Sequence, residues 1–144
     1  GVTYDPTRDE LFAAEAGGGA TMNGKPIRVS SIEKLSDSLL VTGFPYDIKE
    51  RKEPARHLHE LLLLSRGVRR DGSAAIDLAY VACGRFEGFW EEGLNPWDVA
   101  AGTLLVKEAG GQVSYFDGSD LDIYRPPLAA SNGLIHSQMI AVLK

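Results

Sequence analysis

The sequence predicts an α/β protein: a mainly parallel sheet flanked by helices, with an antiparallel N-terminal section. Three observations predict it. The opening residues carry closely spaced turn signals, Asp5-Pro6-Thr7-Arg8-Asp9, Gly17-Gly18-Gly19-Ala20 and Asn23-Gly24. Proline fixes φ, aspartate bonds to nearby backbone, and Asn-Gly suits a two-residue hairpin. From Ser38 onward, short β-prone runs alternate with stretches of helical spacing, which is the pattern of parallel strands joined by crossover helices. Finally, the 144 residues are 44% hydrophobic and 24% charged, a globular mixture with enough chain to bury a core.

Val2 to Tyr4 and Glu10 to Ala14 read as strands on either side of the first turn. Residues 1–37 are therefore the end of a β-rich section, and residues 38–144 a C-terminal α/β domain. Ser38 to Phe44 is a short apolar run suited to a strand buried on both faces, and Pro45 stops it. Tyr46 to Pro54 is charged and reads as a surface loop. Ala55 to Arg66 spaces Ala55, Leu58, Leu61, Leu62 and Leu64 near the helical period. A strand over Val68 to Asp71 and a helix over Ser73 to Cys83 follow. Phe86 to Glu91 is a strand, and Pro96 to Ala109 a helix ended by Gly110-Gly111, since glycine tolerates the left-handed backbone at a helix end. Strands over Gln112 to Phe116 and Leu128 to Ser131 precede a last helix over Leu134 to Lys144.

Composition excludes several roles. The net charge of −5 gives no overall basic field for nucleic acid. No apolar run approaches the roughly 20 residues of a membrane span; Leu58 to Leu64 contains His59 and Glu60. The one cysteine, Cys83, allows no intrachain disulfide and no cysteine-based metal site, which fits a reducing, cytoplasmic setting. Gly1-Val2-Thr3-Tyr4 reads as the middle of a strand without an initiator methionine. The expectation is a chain that begins inside a larger protein.

The helix from Pro96 has the strongest local grammar. Asn95 suits the cap and Pro96 the first helical position, where no N–H bond is lost. Asp98 lies in the first turn, where the positive helix end favours a carboxylate. It therefore reads either as a helix-start residue or as an oxygen ligand for a hard cation such as Mg²⁺. Gly72-Ser73-Ala74 sits where a strand turns into a helix, so it reads as a cap or as a place where free N–H groups meet a ligand. Glu91 and Glu92 end a strand. Neighbouring strand residues point to opposite faces, so only one of them is expected to face a site containing Asp98.

Gly93-Leu94-Asn95-Pro96-Trp97-Asp98-Val99-Ala100-Ala101-Gly102, followed by Glu108-Ala109-Gly110-Gly111, resembles the second signature of the inositol monophosphatase family. Arg69-Arg70-Asp71-Gly72-Ser73-Ala74-Ala75 resembles the family's Gly-Ser/Thr-Ala-Ala turn, and Gly1-Val2-Thr3-Tyr4-Asp5-Pro6 and Asn23-Gly24-Lys25-Pro26-Ile27 fall in family order. The resemblance runs over essentially the whole chain. It implies the C-terminal half of a layered α/β/α/β/α sugar-phosphatase fold. It also implies Mg²⁺-dependent hydrolysis of inositol monophosphate or a related sugar phosphate, in a homodimer. Asp98 would be a metal ligand, Glu91 would accept hydrogen bonds from the ring, and Gly72, Ser73 and Ala74 would touch substrate hydroxyls. About two or three Mg²⁺ ions would act in the complete site, with Li⁺ as an inhibitor.

The family's first signature, Asp-Pro-x-Asp-Gly-Thr preceded by a separate Glu, supplies most of the metal ligands, and no Asp-Gly-Thr occurs here. Asp71-Gly72-Ser73 and Asp117-Gly118-Ser119 lack the preceding Asp-Pro-x. The expectation is an inactive C-terminal fragment whose missing N-terminal half holds the other ligands, and whose surface toward that half is apolar. The alternative is a non-catalytic binding or assembly module that keeps the phosphatase fold. Other features point nowhere further. His57 and His59 do not share a helix face, and Gly17-Gly18-Gly19 lacks the context of a phosphate-binding loop. Arg69 and Arg70 read as a solvated strand end, with a phosphate-facing role as the alternative.

Overall fold

The computed structural model describes residues 1–45, 53–124 and 127–144. These residues form four layers in the order β/α/β/α. The first layer is an antiparallel sheet of β1 (Val2–Asp5), β2 (Glu10–Glu15), β3 (Gly19–Met22) and β4 (Lys25–Pro26), in that order. Its turns follow from their residues. Asp5 Oδ1 accepts the Thr7 backbone N–H at 2.8 Å and the Thr7 hydroxyl at 2.5 Å. Asn23 at φ 50° and Gly24 at φ 74° link the paired Met22 and Lys25. Two positive φ values make the hairpin turn whose twist matches the flanking strands.

The second layer is α2 (Ala74–Ala82) packed on α3 (Pro96–Glu108), the most extensive contact between elements. The third is a five-stranded sheet in the order β6-β5-β7-β9-β8. It contains β5 (Leu39–Thr42), β6 (Gly67–Arg69), β7 (Gly88–Glu91), β8 (Gln112–Ser114) and β9 (Leu128–Ser131). β5 pairs parallel with β6 and β7, while β9 is antiparallel to both β7 and β8. The sheet is thus mixed rather than mainly parallel, with two parallel and two antiparallel pairings, because β9 runs opposite to its neighbours β7 and β8. The 115–127 connection into β9 carries no helix among the described residues, and antiparallel neighbours need no crossover helix. The fourth layer is α1 (Glu53–Leu64) with α4 (His136–Leu143).

Strand β5 shows why its run is uniformly apolar. Val41 joins one core cluster with Phe12, Leu78, Phe89 and Leu105; Leu40 joins the other with Leu61, Trp90 and Met139. Both faces are covered, so alternation disappears. Full burial of a side chain such as Leu78 contributes roughly 1.5–3 kcal/mol.

Three local features differ from the expectation. Helix α1 begins at Glu53, taking Pro54 into its first turn, where a missing N–H costs nothing. Its buried residues are Pro54, His57 and Leu61, whereas Leu62, Leu63 and Leu64 are exposed; the apolar count missed a histidine on the inner face. The loop expected over Tyr46 to Pro54 lies mostly outside the described residues. The glycine-rich turn does cradle an anion, but an internal one. Gly17 and Gly19 N–H groups donate to Glu108 Oε1 and Oε2 at 2.9 Å each, tying the first sheet to the end of α3. Those two bonds hold the Glu108 carboxyl below its ordinary range.

Candidate functional site

A cleft of about 430 Å³ opens beyond the C-terminal ends of β5, β6 and β7. In open α/β sheets this is where ligands bind, because the chain leaves the strands there and loop residues converge. The cleft is bordered by Gly43, Phe44 and Pro45 after β5, by Arg70 and the 72–75 turn after β6, and by the 91–98 segment after β7. Asp98, Glu91, Gly72, Ser73 and Ala74 all line it.

Asp98 is placed by its helix. Asn95 is extended at φ −107°, ψ 162°, and Pro96 opens α3. Asp98 Oδ2 accepts the Asn95 backbone N–H at 2.9 Å, and the Asp98 N–H returns a bond to the Asn95 carbonyl at 3.0 Å. Half-buried Asp98 therefore does serve as a helix-start residue, with its other oxygen, Oδ1, outside that bond. Glu91 closes β7 and is half-buried. Its carboxylate lies against Gly43, in the space a Cβ there would occupy. Burial raises the Glu91 carboxyl from 4.5 to about 7, with Arg70 opposing the rise and Asp98 adding to it.

Gly72 has φ +90°, which lets the chain turn from β6 into α2 at little cost. Ser73 takes the N-cap position at φ −143°, ψ 100°, and its carbonyl accepts the Asp77 N–H at 2.9 Å. The expected side-chain cap is not made. The Ser73 side chain is exposed at the cleft instead.

Glu91 and Glu92 differ in where their carboxylates go. Both residues border the cleft, but the Glu91 carboxylate lies against Gly43. Glu92 Oε1 lies 3.6 Å from His57 Nδ1. His57 is buried and faces Glu92, while His59 is exposed, so the two histidines are indeed separated.

Three residues at or near the cleft, Trp97, Gly43 and Asp77, escape the sequence reading. Arg70, readable as a solvated strand end or as a group facing a phosphate, lines the cleft. Trp97 lines it too and is 77% exposed. Gly43 accommodates Glu91. Asp77, one helical turn beyond Ser73, is 1% exposed, and among the described residues neither carboxylate oxygen has a hydrogen-bond partner. Burial raises its carboxyl from 3.8 to about 8, with Asp71 and Glu91 adding to the rise. The one available signal was a lone acid in the otherwise apolar run Ala74–Ala82.

Among the described residues no group of three or more His, Cys, Asp or Glu forms a metal cage. Asp98 fits a different kind of site. Mg²⁺ is usually held by one or two carboxylates together with water and substrate phosphate, and Asp98 offers one such carboxylate at the rim of the cleft.

The chain matches the model of the inositol monophosphatase family over residues 1–144. It is 51% identical over 144 residues to an inositol-1-monophosphatase of Synechocystis, covering 99% of this chain and 50% of that protein. It is 44% identical to the Nus factor SuhB of Escherichia coli, covering 99% of this chain and 54% of that protein. The solved inositol monophosphatase of Anabaena superposes with a TM-score of 0.95 at 51% identity, over 99% of this chain and 57% of that one. The chain thus spans about half the length of the relatives it matches.

Proposed function

Since the chain belongs to the inositol monophosphatase family, we propose that it is the C-terminal half of a Mg²⁺-dependent phosphatase acting on inositol monophosphate or a related sugar phosphate. The observation that carries this reading is the convergence of Asp98, Glu91 and the 72–74 turn on one cleft. Asp98 would hold one Mg²⁺, and the helix start beside it would favour the anionic phosphate of the substrate. In a complete site, about two such ions would supply the polarisation of the attacking water and the leaving oxygen. The chain's own residues handle the alcohol. Glu91 accepts hydrogen bonds from ring hydroxyls, Ser73 offers a hydroxyl, and Gly72 and Ala74 let the ring approach the backbone. Trp97 forms one wall.

The remaining metal ligands belong to an N-terminal half. Three features support this. The relatives are about twice as long, and no Asp-Gly-Thr occurs in the chain. Strand β1 buries Thr3 and Asp5 and points Val2 and Tyr4 outward, with Leu11 of β2 also exposed; a further layer would cover that apolar face. The isolated chain is accordingly inactive, and the complete protein is a cytoplasmic homodimer that uses more than one Mg²⁺. The experiment is phosphate release from inositol 1-phosphate with and without Mg²⁺. Metal-dependent turnover is expected from the full-length protein and none from residues 1–144. Robust turnover by the short chain would overturn its inactivity; none from the full-length protein would overturn the phosphatase reading.

A second reading, an assembly module with a phosphatase fold, is favoured by one finding: a relative at 44% identity is named a Nus factor. The coding sequence upstream of Gly1 separates the two. A Glu and an Asp-Pro-x-Asp-Gly-Thr there support the enzyme, and an in-frame start at this point supports the module.

A further inference from the structure

We propose that Gly43 is a positioning residue for substrate choice: its missing side chain creates the space that holds the Glu91 carboxylate against the end of β5. The inference rests on the reading of Glu91 as the acceptor for ring hydroxyls. It starts from the sheet. β5 and β7 run parallel with Thr42 opposite Trp90, so Gly43 and Glu91 are the next neighbours where the strands end. The backbones are clamped just before them, since the Thr42 hydroxyl donates to the Trp90 carbonyl at 2.6 Å.

Gly43 does not owe its identity to the backbone, because its φ lies outside the left-handed region. Space is the reason. A Cβ at Gly43 would overlap Cδ and both carboxylate oxygens of Glu91. Any other residue there must drive the carboxylate away, because β7 cannot retreat from a paired strand. The carboxylate so placed is half-buried, with Arg70 and Asp98 as its charged neighbours. Gly43 thereby sets where a ring hydroxyl finds its acceptor relative to the phosphate end of the cleft. A cyclic polyol phosphate depends on that spacing; a monoester with no ring hydroxyl does not.

The experiment compares inositol 1-phosphate with ethyl phosphate in the full-length protein. Gly43→Ala should lower the ratio of kcat/KM values, inositol over ethyl phosphate, by about tenfold or more, mainly through KM for inositol 1-phosphate. Adding Glu91→Asp shortens the acid by one methylene and should restore part of the ratio. A crystal structure of the full-length Gly43→Ala protein should show the Glu91 carboxylate displaced. Proportional losses on both substrates, no recovery in the double variant, or an unmoved carboxylate would each overturn the positioning role. A wild-type protein that cleaves neither substrate would overturn the phosphatase reading itself, whereas a wild-type protein that cleaves both with an unchanged ratio in Gly43→Ala would overturn only the role of Gly43.

Discussion

Asp98 Oδ2 accepts the Asn95 backbone N–H at 2.9 Å, so the candidate metal ligand also closes the start of its own helix. The two roles use different properties. The cap needs an acceptor oxygen, and Mg²⁺ needs a charged one. Asp98→Asn keeps an acceptor and loses the charge; Asp98→Ala loses both. Thermal denaturation should show the Ala variant less stable by about 0.5–1.5 kcal/mol and the Asn variant close to wild type. Calorimetric Mg²⁺ titration of the full-length protein should show both variants impaired. Equal destabilisation by both substitutions would mean that charge, not the hydrogen bond, holds the cap.

Asp77 is a buried acid with no hydrogen-bond partner among the described residues, and it makes stability depend on pH. The unfolded chain releases this proton near 3.8 and the folded chain only near 8. The folded carboxyl is raised, so its contribution is complete below about 3.8 and is lost as pH rises toward 8. Asp77→Asn should remove up to about 1.4 kcal/mol per pH unit from the slope across that window. Asp77→Leu, which buries no polar atom, should be more stable than wild type at pH 7. Urea denaturation at several pH values measures both. An unchanged slope in the Asn variant would show that Asp77 ionises freely in the folded chain.

His136 works in the opposite direction. The Ser131 hydroxyl lies 2.9 Å from its Nδ1, and Ser114 Oγ 2.8 Å from its Nε2. Ser114 Oγ donates to the Tyr115 carbonyl, so Nε2–H donates to Ser114 and Nδ1 accepts from Ser131. That arrangement suits a neutral ring, and burial lowers the His136 pKa from 6.5. Its contribution is present above about 6.5 and is lost as pH falls through the lower folded value. His57, lowered by burial and then by Arg56, adds to the same loss. In an Asp77→Asn background, stability should fall from pH 6.5 downward, and His136→Asn should weaken that fall. Histidine titration by NMR checks the order of events; a His136 that titrates at 6.5 or above would sink the prediction.

Helices α2 and α3 meet where a Cβ on Gly102 would lie 2.5 Å from Leu78 Cβ and 2.6 Å from its Cδ1. Gly102→Ala should therefore cost about 1–3 kcal/mol through overpacking. Leu78→Ala alone should cost about 2–5 kcal/mol, and the double variant less than the sum, since the two sites share one space. Additive costs in denaturant titration would place the strain elsewhere. Gly102, the last residue of the Trp97-to-Gly102 signature, thus acts through packing, while Asp98 in the same run faces the cleft.

The sequence alone carried the alternation of elements, the turns of the first sheet and the reach of α2 and α3 to within a residue or two; the grouping of Asp98, Glu91 and the 72–74 turn followed from the family resemblance. The local features rest on short-range chemistry: a proline at a helix start, an Asn-Gly turn, an uninterrupted apolar run. Only the tertiary structure decided the rest. Reversal of β9 depends on what crosses the sheet, and the burial of His57 on which face of α1 turns inward. Glycines 17 and 19 meet Glu108 from nearly ninety residues away in the chain, and Gly43 meets Glu91 only because β5 and β7 pair in parallel. Local sequence sets a residue's conformation and charge. Its neighbours across the sheet set its space and solvation, and at Gly43 and Asp77 those are what matter.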